Sequence, residues 1–355
     1  MRYLLFSLLI VLFSACKKDK NDQEELETSA AMENLADAVI IPEINLLQSS
    51  LADLHVALDQ FCANPENGTL SDAREKLKLA WLQWQHCSAF TFGPGENRAM
   101  KSKLNTFPVD IIAINSNVEN GILTDLALDE QGLGTIDFLL NERGLSNEQI
   151  LDNFVVNAFS ENRKSYLLYC SEQISITIDA VSNDWDTYRT TFISSIGAAN
   201  GSSLSLVVNE FIKDYEELKR NKLALPLGLL TLGISLPEKT EAYHAGYSSE
   251  LAQEQLQALK NYFLGADGLG LDDLLAESGF ISSQGGLLSD AIPAGFDESA
   301  ALMELLTDPL SDQITTDPEP IENAYFNLQE NLVMLKTEMP SALGVSITFA
   351  DNDGD

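Results

Sequence analysis

Apolar residues return at alternating steps of three and four along most of this chain, the period that buries one face of an α-helix. Ile44, Leu47, Leu51, Leu54, Leu58 and Phe61 form the first such stripe. Leu77, Ala80, Trp81, Trp84 and Cys87 form a second, on a helix that Ser71 can cap and that reaches about Ala89. Three more follow: Leu204 to Leu218, Leu251 to Phe263, and Ile321 to Met339. A strand pattern is confined to residues 345–349, so the predicted fold class is all-α. Pro42 should start the first helix or kink an earlier segment, and the box Ser146-x-x-Gln149 should open a long helix reaching about Ser182.

Between the stripes the chain is broken by glycine and proline. Asn64-Pro65-Glu66-Asn67-Gly68 reads as a loop, and Phe92-Gly93-Pro94-Gly95 stops the second helix. Asn105-Thr106-Phe107-Pro108 should enter a short helix carrying Asp110, Ile111, Ile114 and Val118, closed by Gly121. Gly132 and Gly134 mark a turn into Ile136 to Leu140. The stretch 198–203 is the expected boundary between an N-terminal helical bundle, 29–197, and a C-terminal one, 198–340, followed by an acidic tail, 341–355. Residues 222–237 are apolar but interrupted by Pro226, Gly228 and Gly233, too short to cross a membrane and expected to pack between the bundles.

The first fifteen residues carry one positive charge, an apolar run and a small-residue end, the pattern of a secretory signal peptide. Phe13-Ser14-Ala15-Cys16 then fits a bacterial lipobox, in which Cys16 is acylated. Lipid chains there would anchor the protein to the cell envelope, at the outer membrane on its periplasmic side or surface, without spanning it. Residues 16–28 then serve as the lipidated cysteine and a flexible polar tether.

With 54 acidic against 21 basic residues, the formal charge of −33 argues against nucleic acid as a partner. Hydrophobic residues at 45% of the 355 leave enough for a real core. Besides Cys16 there remain Cys62, Cys87 and Cys170, enough for one bridge and one buried thiol or for three buried thiols. Asp351, Asp353 and Asp355 lack the glycine position and the bidentate glutamate of a calcium loop, and read as a solvated tail.

Taken in order, Phe92-Gly93-Pro94-Gly95, Leu104-Asn105-Thr106-Phe107-Pro108-Val109-Asp110 and Gly132-Leu133-Gly134-Thr135-Ile136-Asp137-Phe138-Leu139-Leu140 resemble the imelysin-like family, once classed as M75 peptidases. The match is closest to its Bacteroidetes-type lipoprotein branch. Gly132, Gly134 and Asp137 fall on the Gly, His and Glu of that family's Gly-x-His-x-x-Glu motif, so the histidine is replaced and the acid shortened. Glu241-Ala242-Tyr243-His244-Ala245-Gly246-Tyr247-Ser248-Ser249 is similar to the family's second conserved region. The resemblance spans most of residues 30–355. It implies two packed helical bundles and a role connected with iron uptake in the bacterial envelope.

Hydrolysis finds little support in the residues. The chain has three histidines, His55, His86 and His244, with no His-Glu-x-x-His and no Gly-x-Ser-x-Gly. A metallopeptidase-like hydrolase is the alternative that rests on the family's former class alone. Ligand or metal binding is the stronger expectation. Asp137, Asp110, Glu96 and Glu241 are oxygen donors suited to iron or another divalent cation, with His244 as a nitrogen donor and Gly134 at the motif. The plainer reading of Asp137 is a helix cap or a partner of Arg98. A third reading is a docking module for another envelope protein; convergence of Asp137, Glu241 and His244 would favour a ligand site over it.

Overall fold

The stripes fold as helices, and the prolines mark where those helices change pitch. The computed structural model describes residues 20–349, so the signal segment, Cys16 and the aspartates at 351, 353 and 355 lie outside the described residues. The first helix, α1 (Lys20–Asn34), passes through a π-helical turn, Leu35–Ile40, into α2 (Ile41–Ala63). Two more π-helical segments, Leu218–Ala224 and Met334–Glu338, likewise run straight into a proline, Pro226 and Pro340. Proline lacks the N–H of the α-helical ladder and its ring crowds the carbonyl four residues back, so the preceding turn widens rather than ends. Pro42 thus sits in the first turn of α2, immediately after the π-helical segment. The expected flexible tether is also helical from Lys20 onward, and Thr28 is already buried.

The first bundle consists of α2, α3 (Asn67–Gln85), α5 (Gly132–Asn141) and α7 (Ser160–Ser194), with α4 (Ile111–Asn120) and α6 (Asn147–Val155) packed on α7. Helix α3 starts a turn earlier than Ser71 because Thr69 and Glu66 form a capping box. The box Ser146–Gln149 caps α6 as predicted. That helix then stops at Val155, where Asn157 Oδ1 accepts the N–H of Phe159 at 2.8 Å and turns the chain. The continuation, α7, runs past Asn183-Asp184-Trp185 to Ser194, because Trp185 is a buried anchor packed on Phe92 and Phe192. Fully burying such a side chain is worth about 2–3 kcal/mol, enough to override the weak helix propensities of Asn and Asp.

The second bundle consists of α8 (Ser203–Glu217), α9 (Ser248–Phe263), α10 (Leu288–Met303) and α11 (Glu319–Val333). Ser202 caps α8, and the connector 195–202 lies between the bundles in sequence. Helix α3 packs against α9 across the seam, where Lys78–Glu250 and His86–Glu254 form ion pairs at 2.5 and 2.6 Å. Among the described residues there is no strand, only a single bridge between Ile281 and Leu287. Residues 345–349 do not form one. Thr348 instead donates its N–H to Asn209 on α8 at 2.7 Å, which pins the described part of the tail.

The apolar run 222–237 divides in two. Leu223, Ala224, Pro226 and Leu227 are buried, whereas the loop after Gly228 closes on itself through Gly233 N to Gly228 O and Leu236 N to Pro226 O. That closure leaves Leu232 fully exposed and Ile234 largely so, not packed between the bundles. Cys62, Cys87 and Cys170 are all free and buried, three thiols and no bridge among the described residues.

Candidate functional site

The site is built on α5, whose residues Gly132 to Leu140 are all buried. Its start needs two glycines for different reasons. Gly132 holds φ +84, and a Cβ there would come within 2.7 Å of the Leu104 carbonyl oxygen. At Gly134 a Cβ would stand 2.9 Å from Val109 Cγ1 and 3.3 Å from the Thr106 carbonyl, so segment 104–109 rests directly on the helix backbone. Gly134 therefore lies inside a helix and not in the expected turn. At the other end Arg74 of α3 donates from Nε and Nη2 to the Leu140 carbonyl at 3.0 and 2.7 Å, satisfying a helix end that would otherwise be orphaned.

Asp137 follows Gly134 by three residues and shares its face. The two line a cleft of about 240 Å³ with Phe107, Pro108, Tyr243 and His244. Asn141 Nδ2 donates to Asp137 Oδ1 at 3.0 Å, and the backbone N–H of His244 donates to Oδ2 at 3.1 Å. Burial nonetheless dominates and raises the Asp137 carboxyl to about 7, against those hydrogen bonds and the more distant charge of Arg74. His244 is shifted the other way. Burial, with the nearby Arg143 charge, lowers it to about 4, so its ring is neutral at physiological pH. The ring's Nδ1 accepts the backbone N–H of Arg143 at 3.2 Å, which puts the imidazole proton on Nε2. Arg143 is held in turn by Ser311 at 2.9 Å and Asp312 at 2.5 Å and stacks on Tyr243, tying the end of α5 to the second bundle. The cleft can thus offer one imidazole N–H and one carboxyl group poised between its two protonation states.

The other expected site residues are placed elsewhere. Asp110 is the exposed N-cap of α4, accepting the N–H groups of Ile112 and Ala113, both at 3.0 Å. Glu96 is exposed on the short helix Pro94–Asn97. Arg98 pairs with Asp184 at 2.7 Å and not with Asp137. Glu241 is buried but faces away from the cleft. Its Oε1 takes hydrogen bonds from Trp81 Nε1, Gln85 Nε2 and Asn105 Nδ2 at 3.1, 3.2 and 2.7 Å, and Oε2 pairs with Lys222 Nζ at 2.7 Å. Asp137 and His244 converge; Glu241 does not join them.

A second, more polar cavity of about 280 Å³ adjoins the cleft, with Phe107 in the wall of both. Asp214, Lys101, Lys222 and Gln255 line it, four residues that the stripes did not single out. Asp214 lies between Phe211 and Leu218 on the buried face of α8, and a charged residue inside an apolar stripe is the signal that points to it.

The donor set does not fit a directly coordinated metal ion. Both oxygens of Asp137 already accept hydrogen bonds, and the protonated Nε2 of His244 is a donor with its Nδ1 committed to Arg143. Among the described residues, no three His, Cys, Asp or Glu side chains are grouped to hold one. Fold and site together define an all-α protein of two packed bundles with a cleft beside their seam.

Residues 40–338 match the model of the Imelysin family, peptidase M75, and the chain belongs to that family. It is similar to a putative iron-regulated protein A precursor from Parabacteroides distasonis ATCC 8503, with 16% identity and a TM-score of 0.75 over 90% of this chain and 95% of that one. An imelysin-like protein from Psychrobacter arcticus 273-4 shares 17% identity and a TM-score of 0.72, over 92% of this chain and 98% of that one. No curated protein matches the sequence.

Proposed function

We propose that this protein binds a small organic ligand in the Asp137–His244 cleft, in a role connected with iron uptake at the bacterial cell envelope, and that it does not hydrolyse peptides. The carrying observation is the cleft itself: mostly apolar walls around one carboxyl and one imidazole N–H, the usual make-up of a ligand pocket. The connection with iron is supported by family membership and by the iron-regulated precursor whose fold this chain shares. With no fit for a bare ion, iron would enter as an uncharged chelate whose oxygen accepts from His244 Nε2.

The full-length protein and Asp137→Asn should be titrated calorimetrically with neutral ferric acetohydroxamate, and in parallel with ferric, ferrous and zinc ions and haem. Saturable binding of the chelate is expected, weakened about tenfold or more in the variant, the scale of one lost hydrogen bond to a charged or buried group. Chelate binding that is unchanged in Asp137→Asn would place the ligand elsewhere; its absence would sink the iron reading.

The envelope location rests on the lipobox at Cys16, and no helix among the described residues is long and apolar enough to cross a membrane. Cys16→Ala is expected to move the protein from the membrane fraction to the soluble fraction on cell lysis. Retention of the variant in membranes would count against the anchor.

A further inference from the structure

The second cavity has a charge count and an unmet hydrogen bond that both ask for the same kind of guest. Lys101 Nζ lies 2.8 Å from Asp214 Oδ1 and also pairs with Glu217. Lys222 pairs with Glu241 at 2.7 Å and donates to Gln85 Oε1 at 2.6 Å. The network therefore sets three carboxylates against two ammonium groups. Lys101 makes the close ion pairs to both Asp214 and Glu217, and Lys222 attracts Asp214 only from farther off, so these two carboxylates carry the surplus negative charge, and both line the cavity.

Gln255 supplies the second observation. It is 2% exposed and lines the same cavity. Its Nε2 donates to Asp214 Oδ2 at 2.7 Å and to the Asp214 carbonyl at 3.3 Å. Both partners are acceptors, so the amide cannot be turned round. Its Oε1 is thereby left buried without a partner. An unmet buried acceptor costs about 1–3 kcal/mol, and only a donor relieves it. Trp84 and Phe107 also line the cavity, and an aromatic ring attracts a cation to its face.

We infer that this cavity is a binding site for a small organic cation bearing a protonated amine, its N–H groups directed to Gln255 Oε1 and to the Asp214–Glu217 pair. A carboxylate guest would add to a surplus already negative. An uncharged alcohol would answer the orphaned acceptor but leave the charge uncompensated. The site is separate from the Asp137 cleft and does not depend on what that cleft binds.

The test is calorimetric titration of the full-length protein with n-butylammonium chloride at constant ionic strength, with 1-pentanol and butyrate as comparisons. Constant ionic strength matters because a chain of charge −33 gathers cations diffusely. Saturable binding of butylammonium alone is expected, about tenfold or more weaker in both Gln255→Leu and Glu217→Gln and unchanged in Asp137→Asn. Glu217 sits at the partly exposed edge of the network, so Glu217→Gln keeps the test open if the buried Gln255 variant fails to fold. The inference is overturned by no saturable binding of the amine, by equal binding of the alcohol, or by variants that bind as well as the parent.

Discussion

Lys222→Met is expected to destabilise the protein by about 3–5 kcal/mol, the range for stranding one member of a buried ion pair. Lys222 and Glu241 are among the most enclosed charges in the chain, with side chains 7% and 1% exposed. Removing the ammonium leaves the Glu241 carboxylate with three neutral donors and no counter-charge, and also strips Gln85 Oε1 of its partner. The cost is one of uncompensated desolvation and not the intrinsic strength of the pair, which makes a second variant decisive. Lys222→Met combined with Glu241→Gln removes both charges while a carbonyl oxygen stays in place for Trp81 and Asn105. It should recover most of the loss. Urea unfolding of the parent, the single and the double variants measures both quantities. A single-variant loss below about 1 kcal/mol, or a double variant no better than the single, would show that the pair is solvated in a way its burial contradicts.

The ion pair also shows which parts of the molecule the sequence could reveal. Helices were legible because burial on one face leaves a period: Leu47, Leu51, Leu54 and Leu58 are all essentially inaccessible, as their spacing required. The stops and starts were less so. A polar run such as Asn183-Asp184-Trp185 looks like a helix end, yet one buried indole outweighs it, and that weighing depends on Phe92, ninety-three residues away in the chain. The structure brings Gly134 and Asp137 of the motif segment together with His244 around one cleft. Glu241, three residues earlier, could not be assigned to a face, because the segment before α9 is not a regular helix and spacing alone sets no direction there. Lys222, Asp214 and Gln255 do not stand out in the apolar period of the sequence, because an apolar stripe by itself carries no mark for the polar residues within it. Each is a polar residue standing where the stripe calls for an apolar one, and that pattern marks a buried network before any coordinates are known.

The pH dependence of stability should carry the signature of Asp137. In the unfolded chain this carboxyl titrates near its ordinary value of 3.8, and in the folded protein near 7. Between those values the folded state holds a proton that the unfolded state has released, so stability falls as pH rises through that window and levels off above it. A separation of about three units corresponds to roughly 4 kcal/mol, an upper figure because the cleft admits some solvent. Asn141, His244 and Ala245 donate to the charged form and Arg74 attracts it; without them the window would extend further upward. Asp137→Asn cannot titrate. Its stability relative to the parent should therefore climb by about 2–4 kcal/mol from pH 4 to pH 8, read as the difference between the two urea midpoints scaled by a common slope. A difference that stays flat across that range would mean that the carboxyl is ionised throughout, and hence that the cleft is wetter than its walls imply. The same titration bears on binding: a neutral guest that displaces solvent from the cleft favours the protonated acid, so its affinity should weaken above pH 7 in the parent and stay level in Asp137→Asn.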